Sequence, residues 1–170
     1  MRLFFALWPP AATVTALAGW AVQAHLLTGG RRTRPESIHL TLAFLGEVAE
    51  ERVGDAIRAA RSVRGAPHAL PIAQAKHWSH NDVVWVGPIE IPRALAALAQ
   101  SLRTELDKEA FAVEARPFAA HVTLIRKARR VAGLPPVPHA AWPVTEFTLV
   151  RSMLSRHGSS YGIVDRIALA

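Results

Sequence analysis

The sequence contains no cysteine. That excludes a disulfide scaffold, a Cys-ligated zinc site and a thiol nucleophile together. Lysine is scarce as well: of 20 Lys plus Arg only Lys76, Lys108 and Lys127 are lysines, and 13 Asp plus Glu leave a formal charge of +7. No apolar stretch approaches the about 18 residues of a membrane span. The first apolar run ends at Pro9-Pro10, short of the roughly 7–15 residues and small-residue cleavage site of a secretory signal. It reads as a buried strand, and the expectation is a soluble, cytoplasmic, monomeric protein with no membrane partner. What is present in quantity is apolar side chain and arginine. With 51% hydrophobic residues and a mean hydropathy of +0.17 over 170 residues, disordered and fibrous classes are out and one domain, 1–170, is expected. Arginine grips phosphate with a planar fork, so the charge balance points to anionic partners, nucleic acid above all.

Strand and helix patterns alternate without a low-complexity linker. A strand is expected over 2–7. A helix should follow Pro9-Pro10, burying Val14, Leu17, Ala18, Ala21, Val22 and Leu26 and ending before Gly29-Gly30. A second strand, 38–45, stops at Gly46, and a helix over about 49–63 opens on Glu50 and Glu51, which suit its positive end. Strands near 69–78 and 82–86 are joined by the turn-prone Ser79-His80-Asn81. Leu95, Leu98, Leu102 and Leu106 recur at helical spacing, which predicts a helix over about 92–109. Further strands are expected near 111–114, 121–125, 144–154 and 161–169. Four prolines in 128–143 argue for a long loop there.

Two segments resemble each other, Arg34-Pro35-Glu36-Ser37-Ile38-His39-Leu40-Thr41-Leu42 and Arg116-Pro117-Phe118-Ala119-Ala120-His121-Val122-Thr123-Leu124, agreeing at five of nine positions with a constant offset of 82 residues. In a strand, residues i and i+2 face the same way. His39 and Thr41 therefore share one face while Leu40 and Leu42 fill a core, and His121 and Thr123 repeat the arrangement. Phosphodiester cleavage needs a base for the attacking oxygen and an acid for the leaving one. Two histidines near pKa 6.5 can fill both posts at neutral pH, and two threonines can hydrogen-bond the non-bridging oxygens. The scheme requires no metal and no cofactor. The competing account is a pair of polar residues on half-exposed strands, each imidazole held by a backbone carbonyl.

His39-Leu40-Thr41-Leu42-Ala43-Phe44-Leu45-Gly46 and Arg116-Pro117-Phe118 through His121-Val122-Thr123-Leu124-Ile125-Arg126 resemble the paired H-x-T signatures of the RNA 2′,3′-cyclic phosphodiesterases, also called 2′-5′ RNA ligases, of the 2H phosphoesterase superfamily. Arg2-Leu3-Phe4-Phe5-Ala6, Val83-Val84-Trp85-Val86-Gly87, Val144-Thr145-Glu146-Phe147-Thr148-Leu149 and the closing Ser152, Leu154, Gly158 and Tyr161 are similar too. The resemblance implies an α+β, bilobal pseudo-two-fold fold with an antiparallel sheet in each lobe, helices packed outside, and both H-x-T strands lining a central cleft. It implies hydrolysis of an RNA terminal 2′,3′-cyclic phosphate to a 2′-phosphomonoester, tRNA fragments being one substrate, with His39 as proton donor to the 3′ oxygen and His121 as the base on water. Thr41, Thr123 and Arg126 would bind phosphate. With a 5′-hydroxyl in place of water, the same site would join RNA ends through a 2′-5′ bond without ATP. After Tyr161, Ile163-Val164-Asp165-Arg166-Ile167 departs from the aromatic or basic residues often found there.

Seven of the 20 basic residues fall in nine positions, 31–34 and 126–130: Arg31, Arg32 and Arg34 precede the first His-x-Thr and Arg126, Lys127, Arg129 and Arg130 follow the second. Such clusters give affinity for phosphate without sequence preference. Of the aromatics, Phe44 and Tyr161 are the candidates for stacking a base; Trp78, Trp85, Phe118 and Trp142 read as core. His77 and His80 have a metal-like spacing but are expected in a solvated turn with no third ligand. Gly29-Gly30 lacks the Lys-Ser/Thr of a nucleotide-binding loop, and Gly87 and Gly158 read as turn residues. Two alternatives stand beside the RNA-end reading: a phosphodiesterase for small cyclic nucleotides, and a non-catalytic RNA-binding module in which charge alone acts.

Overall fold

Strand pairing organises the fold. In the computed structural model, which describes residues 1–170, the strands are β1 (Arg2–Leu7), β2 (Arg31–Arg32), β3 (Leu40–Glu47), β4 (His68–Ile72), β5 (Gln74–Trp78), β6 (Val83–Gly87), β7 (Val122–Arg126), β8 (Ala140–Val144), β9 (Glu146–Ser155) and β10 (Gly158–Ala168). The helices are α1 (Ala11–Thr28), α2 (Val53–Arg61) and α3 (Arg93–Lys108). The main sheet runs β10-β9-β1-β3-β7-β6-β5, with β2 added to β7, and β4 and β8 form a separate pair. Every pairing is antiparallel. Its two halves, β10-β9-β1-β3 and β7-β6-β5, meet through one residue pair, Leu40 with Val122. The result is the expected two-lobed α+β fold, with α1 packed on β7 and β8 and α2 and α3 on β10, β3 and β4. No helix is long and apolar enough to cross a membrane.

Alternation along β1 separates two environments. Leu3, Phe5 and Leu7 enter the main core, whereas Phe4 and Ala6 pack with Val150, Trp8 and Tyr161 on the opposite face of the sheet. That opposite face is the cleft. The floor beneath it is fully buried Leu40, Val122 and Leu124.

Several elements depart from the sequence-based expectation. The 69–78 stretch is two strands in different sheets: β4 pairs with β8, then Ala73 donates to the Gly87 carbonyl at 2.9 Å and the chain continues as β5 beside β6. The proline-rich 128–143 segment is not wholly loop, because it contains most of β8. Pro143 sits opposite Ala69 in a two-stranded ladder, where a strand with one free edge tolerates a missing N–H. No strand forms over 111–114. Phe111 is buried there by packing, its ring under the Arg52 guanidinium at 4.2 Å and its N–H bonded to the Leu106 carbonyl. On α1 the buried stripe is Thr13, Leu17, Trp20, Ala21, Ala24 and Thr28, while Val22 and Leu26 are 45% and 80% exposed. The helix is apolar nearly all round, and the Trp20 indole bond to the Pro135 carbonyl fixes which face turns inward. The helix expected over 49–63 opens as a 3-10 turn at Glu50–Arg52 and is regular only from Val53. On α3 the four leucines are buried as expected.

Candidate active site

Both histidines stand one residue before their strands, β3 and β7. Extending the antiparallel Leu40–Val122 pair by one residue sets His39 across from Thr123 and His121 across from Thr41, on the face opposite Leu40 and Val122. The two motifs thus converge on one spot, related by the pseudo-two-fold through that pair.

Each imidazole is held in the same way. His39 Nδ1 is 2.7 Å from the Ser37 carbonyl and His121 Nδ1 is 3.0 Å from the Ala119 carbonyl. A carbonyl only accepts, so both Nδ1 atoms carry the proton and both Nε2 atoms are left to exchange protons. The Thr41 hydroxyl lies 3.1 Å from His39 Nε2 and donates to it in the neutral form. His39 is walled by Phe4, Trp8 and Tyr161, with ring centroids at 5.2, 5.1 and 5.4 Å. His121 packs on Trp78 at 4.6 Å and edge-on to Trp85 at 6.2 Å. Trp8 is itself held: its indole N–H donates at 2.8 Å to Thr148, whose hydroxyl reaches the Ala6 carbonyl. Burial among these rings pulls both histidines below the ordinary imidazole value, against the carbonyl bonds, which raise it. The Arg126 cation depresses both further, and His121 depresses His39.

Arg126 would point away from Thr123 in a regular strand, three residues being an odd step. A bulge corrects this. Thr123 pairs with Trp85 and Ile125 with Val84, so Leu124 is the extra residue, and Leu124 and Ile125 are both buried. The phase shift returns Arg126 to the face of His121 and Thr123. β3 carries the same bulge against β1, with Ala6 opposite Thr41 and Phe5 opposite Ala43. At the position equivalent to Arg126 it presents Phe44, 60% exposed and 5.9 Å from Phe4. One lobe offers an aromatic face and the other a guanidinium.

The remaining expected contacts divide. Arg31 lies directly opposite Arg126 in the β2–β7 ladder, and Arg32 and Lys127 adjoin them. Like charges so paired repel unless an anion sits between them. Arg31, Arg32, Arg126, Lys127 and Arg130 have no carboxylate partner, whereas Arg52, Arg58, Arg61, Arg116 and Arg166 all do. Arg34 is engaged, donating to the Ser159 carbonyl at 2.6 Å and pairing with Glu36 at 3.8 Å, which ties the β9–β10 hairpin and its Tyr161 to the first motif. Arg129 donates to the Leu27 carbonyl at the end of α1. Together with Arg130 and Lys76 it lines a cavity of about 510 Å³ between β5 and the 129–137 segment, which contains neither His39 nor His121. The two His-Thr pairs lie instead on the cleft face of the main sheet. His77 lies within β5, bonded to the Ala128 carbonyl, and not in the expected turn with His80. Phe4, Trp8, Trp78 and Trp85 lie against the two imidazoles, although composition alone presents them as core.

A family model described as LigT like Phosphoesterase matches residues 7–85, and over 99% of this chain and 96% of the relative the sequence is 36% identical to the RNA 2′,3′-cyclic phosphodiesterase of Escherichia coli (strain K12). The chain belongs to the LigT-like phosphoesterase family. Among solved structures, E. coli LigT in apo form superposes with a TM-score of 0.92 at 35% identity, covering 99% of this chain and 96% of that one. E. coli LigT complexed with 3′-AMP gives 0.91 at 35% identity, with 99% and 97% covered.

Proposed function

We propose that the protein hydrolyses the 2′,3′-cyclic phosphate at an RNA end to a 2′-phosphomonoester by two-histidine acid–base catalysis. The observation that carries this reading is the pair of Nδ1–carbonyl bonds, which leave both Nε2 atoms free to exchange protons on two histidines that the strand register sets across from Thr123 and Thr41. Neutral His121 takes the proton of water as its oxygen attacks phosphorus. Protonated His39 gives its Nε2 proton to the departing 3′ oxygen. Thr41, Thr123 and Arg126 hold the non-bridging oxygens, where charge builds. With an RNA 5′-hydroxyl as the nucleophile, the same steps form a 2′-5′ bond. The name of the E. coli relative supports the substrate class, and the unpaired cations of β2 and β7 suit a polyanion.

Product analysis tests it. An oligoribonucleotide ending in a 2′,3′-cyclic phosphate should yield a 2′-phosphate, because the 3′ oxygen leaves. A 3′-phosphate would reverse the assignment of acid and base, and no turnover would overturn the reading.

Two glycines should matter for the same reaction. A Cβ on Gly87 would lie 2.6 Å from the Ala120 carbonyl oxygen, and one on Gly30, whose φ is +84°, would run into that of Arg126. Gly87 is the last residue of β6, not a turn residue. Gly87→Ala is expected to push the 119–121 backbone, and Gly30→Ala to push β2 from β7. Displacements near 1 Å at a reacting group cost on the order of 10²-fold. Steady-state kinetics on the cyclic-phosphate substrate, with circular dichroism as the folding control, checks both.

A further inference from the structure

The two lobes match row by row across the cleft face of the sheet, and they differ at one end. In the first lobe the row is Thr41, Ala6, Thr148 on β3, β1 and β9. In the second it is Thr123, Trp85, Lys76 on β7, β6 and β5. Thr148 is buried and occupied with Trp8, so the first row closes against the aromatic wall around His39. The second row ends on an exposed lysine with no carboxylate partner, although the only other lysine on a helix or strand, Lys108, pairs with Glu105. Trp78, two residues along the same face of β5, packs against His121 at 4.6 Å and against exposed His80 at 5.5 Å, both rings tilted to the indole. Directly opposed neighbours are about 5 Å apart at Cβ, which sets Lys76 about 10 Å from Thr123 with a flexible four-carbon stem to spend on reach. The cleft thus has an aromatic surface on both sides of the two histidines and an unpaired cation beyond the one next to His121.

Hydrolysis of a chain end needs a nucleotide on one side of phosphorus only. A second aromatic surface followed by a free cation, one nucleotide step from the reacting phosphate, is what a second strand requires. We infer that Lys76, with Trp78 and His80, forms a subsite for the strand that carries the attacking 5′-hydroxyl, Lys76 binding the first internucleotide phosphate of that strand. The inference rests on the two-histidine reading above. In the step it serves, the 5′ oxygen forms a bond to phosphorus as its proton passes to His121 Nε2. The bond from phosphorus to the 3′ oxygen breaks as His39 Nε2 supplies that oxygen with a proton. The product is a 2′-5′ phosphodiester with a free 3′-hydroxyl, and solvent exchange resets the two imidazoles.

The test measures joined and hydrolysed products in one reaction. A 2′,3′-cyclic-phosphate RNA is supplied with either a 5′-hydroxyl dinucleotide, which has an internucleotide phosphate, or a 5′-hydroxyl nucleoside, which has none. Lys76→Ala should lower the joined-to-hydrolysed ratio about tenfold with the dinucleotide, the size of one charge-assisted contact near the surface, and leave the ratio with the nucleoside unchanged. Lys76→Arg should restore most of the ratio. An equal fall with both acceptors, an unchanged ratio with the dinucleotide, or a loss of hydrolysis in proportion to joining would each overturn the subsite, the last by placing Lys76 on the cyclic-phosphate strand. Wild-type protein that hydrolyses but joins neither acceptor would overturn the subsite and leave the hydrolytic reading standing. Wild-type protein that does neither would overturn both.

Discussion

Replacing either histidine is expected to lower turnover of a 2′,3′-cyclic-phosphate RNA by about 10²–10⁴, the usual worth of one positioned acid or base. His39→Ala also removes a ring packed among Phe4, Trp8 and Tyr161, so His39→Asn is the cleaner variant. Its amide can still donate to the Ser37 carbonyl, as Nδ1 does, but it has no atom where Nε2 exchanges protons. His121→Asn serves equally against the Ala119 carbonyl. Because acid and base act in one event, the double variant should lose much less than the product of the single losses. EDTA should leave wild-type rates unchanged, since the scheme draws on no metal. If both asparagine variants fold, as judged by thermal melting, and keep more than a tenth of the activity, the two-histidine mechanism is wrong.

That this site was visible in the sequence follows from the period of a strand. His-x-Thr places two chemical groups on one face with aliphatics behind them, and the repeat at 82 residues supplies the second half; no long-range knowledge is needed. The rows that complete the cleft are different in kind. Trp85 beside Thr123 and Lys76 beside Trp85 depend on the register of β5, β6 and β7, and register is a property of pairing, not of any one segment. The same holds for Trp8, which reaches His39 through a hydrogen bond to Thr148, 140 residues away. Composition presents these aromatics as core, but Trp8 lies 5.1 Å from the His39 ring and Trp85 6.2 Å from that of His121. Arg126 was legible only by family resemblance, because the Leu124 bulge that turns it toward the cleft leaves no mark in the alternation.

The fold divides along the same line. The leucines of α3 form a narrow stripe that can face only one way, so sequence and structure agree. α1 has apolar residues on all sides, and a tertiary bond from Trp20 selects the buried face. At 111–114 an alternation of buried and exposed side chains occurs without a ladder, because Phe111 packs under Arg52 with no strand edge beside it. Conversely, β8 forms in a proline-rich stretch because its two-stranded partner leaves one edge unpaired.

Arg126 should reveal itself in the pH profile as well as in the rate. Both histidines sit below the ordinary value of about 6.5, chiefly through burial and then through the Arg126 cation. In the free enzyme the acid must be protonated and the base neutral, so kcat/KM falls as pH rises through the lowered pKa of His39 and falls again as pH drops through that of His121. Its optimum lies midway between two lowered values, and therefore below about 6.5. Bound phosphate brings negative charge to both rings and raises them, so the optimum in kcat should lie at higher pH than that in kcat/KM. Arg126→Ala removes a cation from both rings and a donor from the phosphate. It should move the kcat/KM optimum upward, part of the way to the ordinary imidazole value because burial remains, and lower the maximum on the order of 10²-fold, as loss of an oxyanion donor does. Arg126→Lys keeps the charge without the fork, so it should hold the optimum near that of the wild type while recovering only part of the rate. An Arg126→Ala profile with an unmoved optimum would mean that the guanidinium does not act on the histidines, and a profile shifted downward would contradict the electrostatics of the cleft.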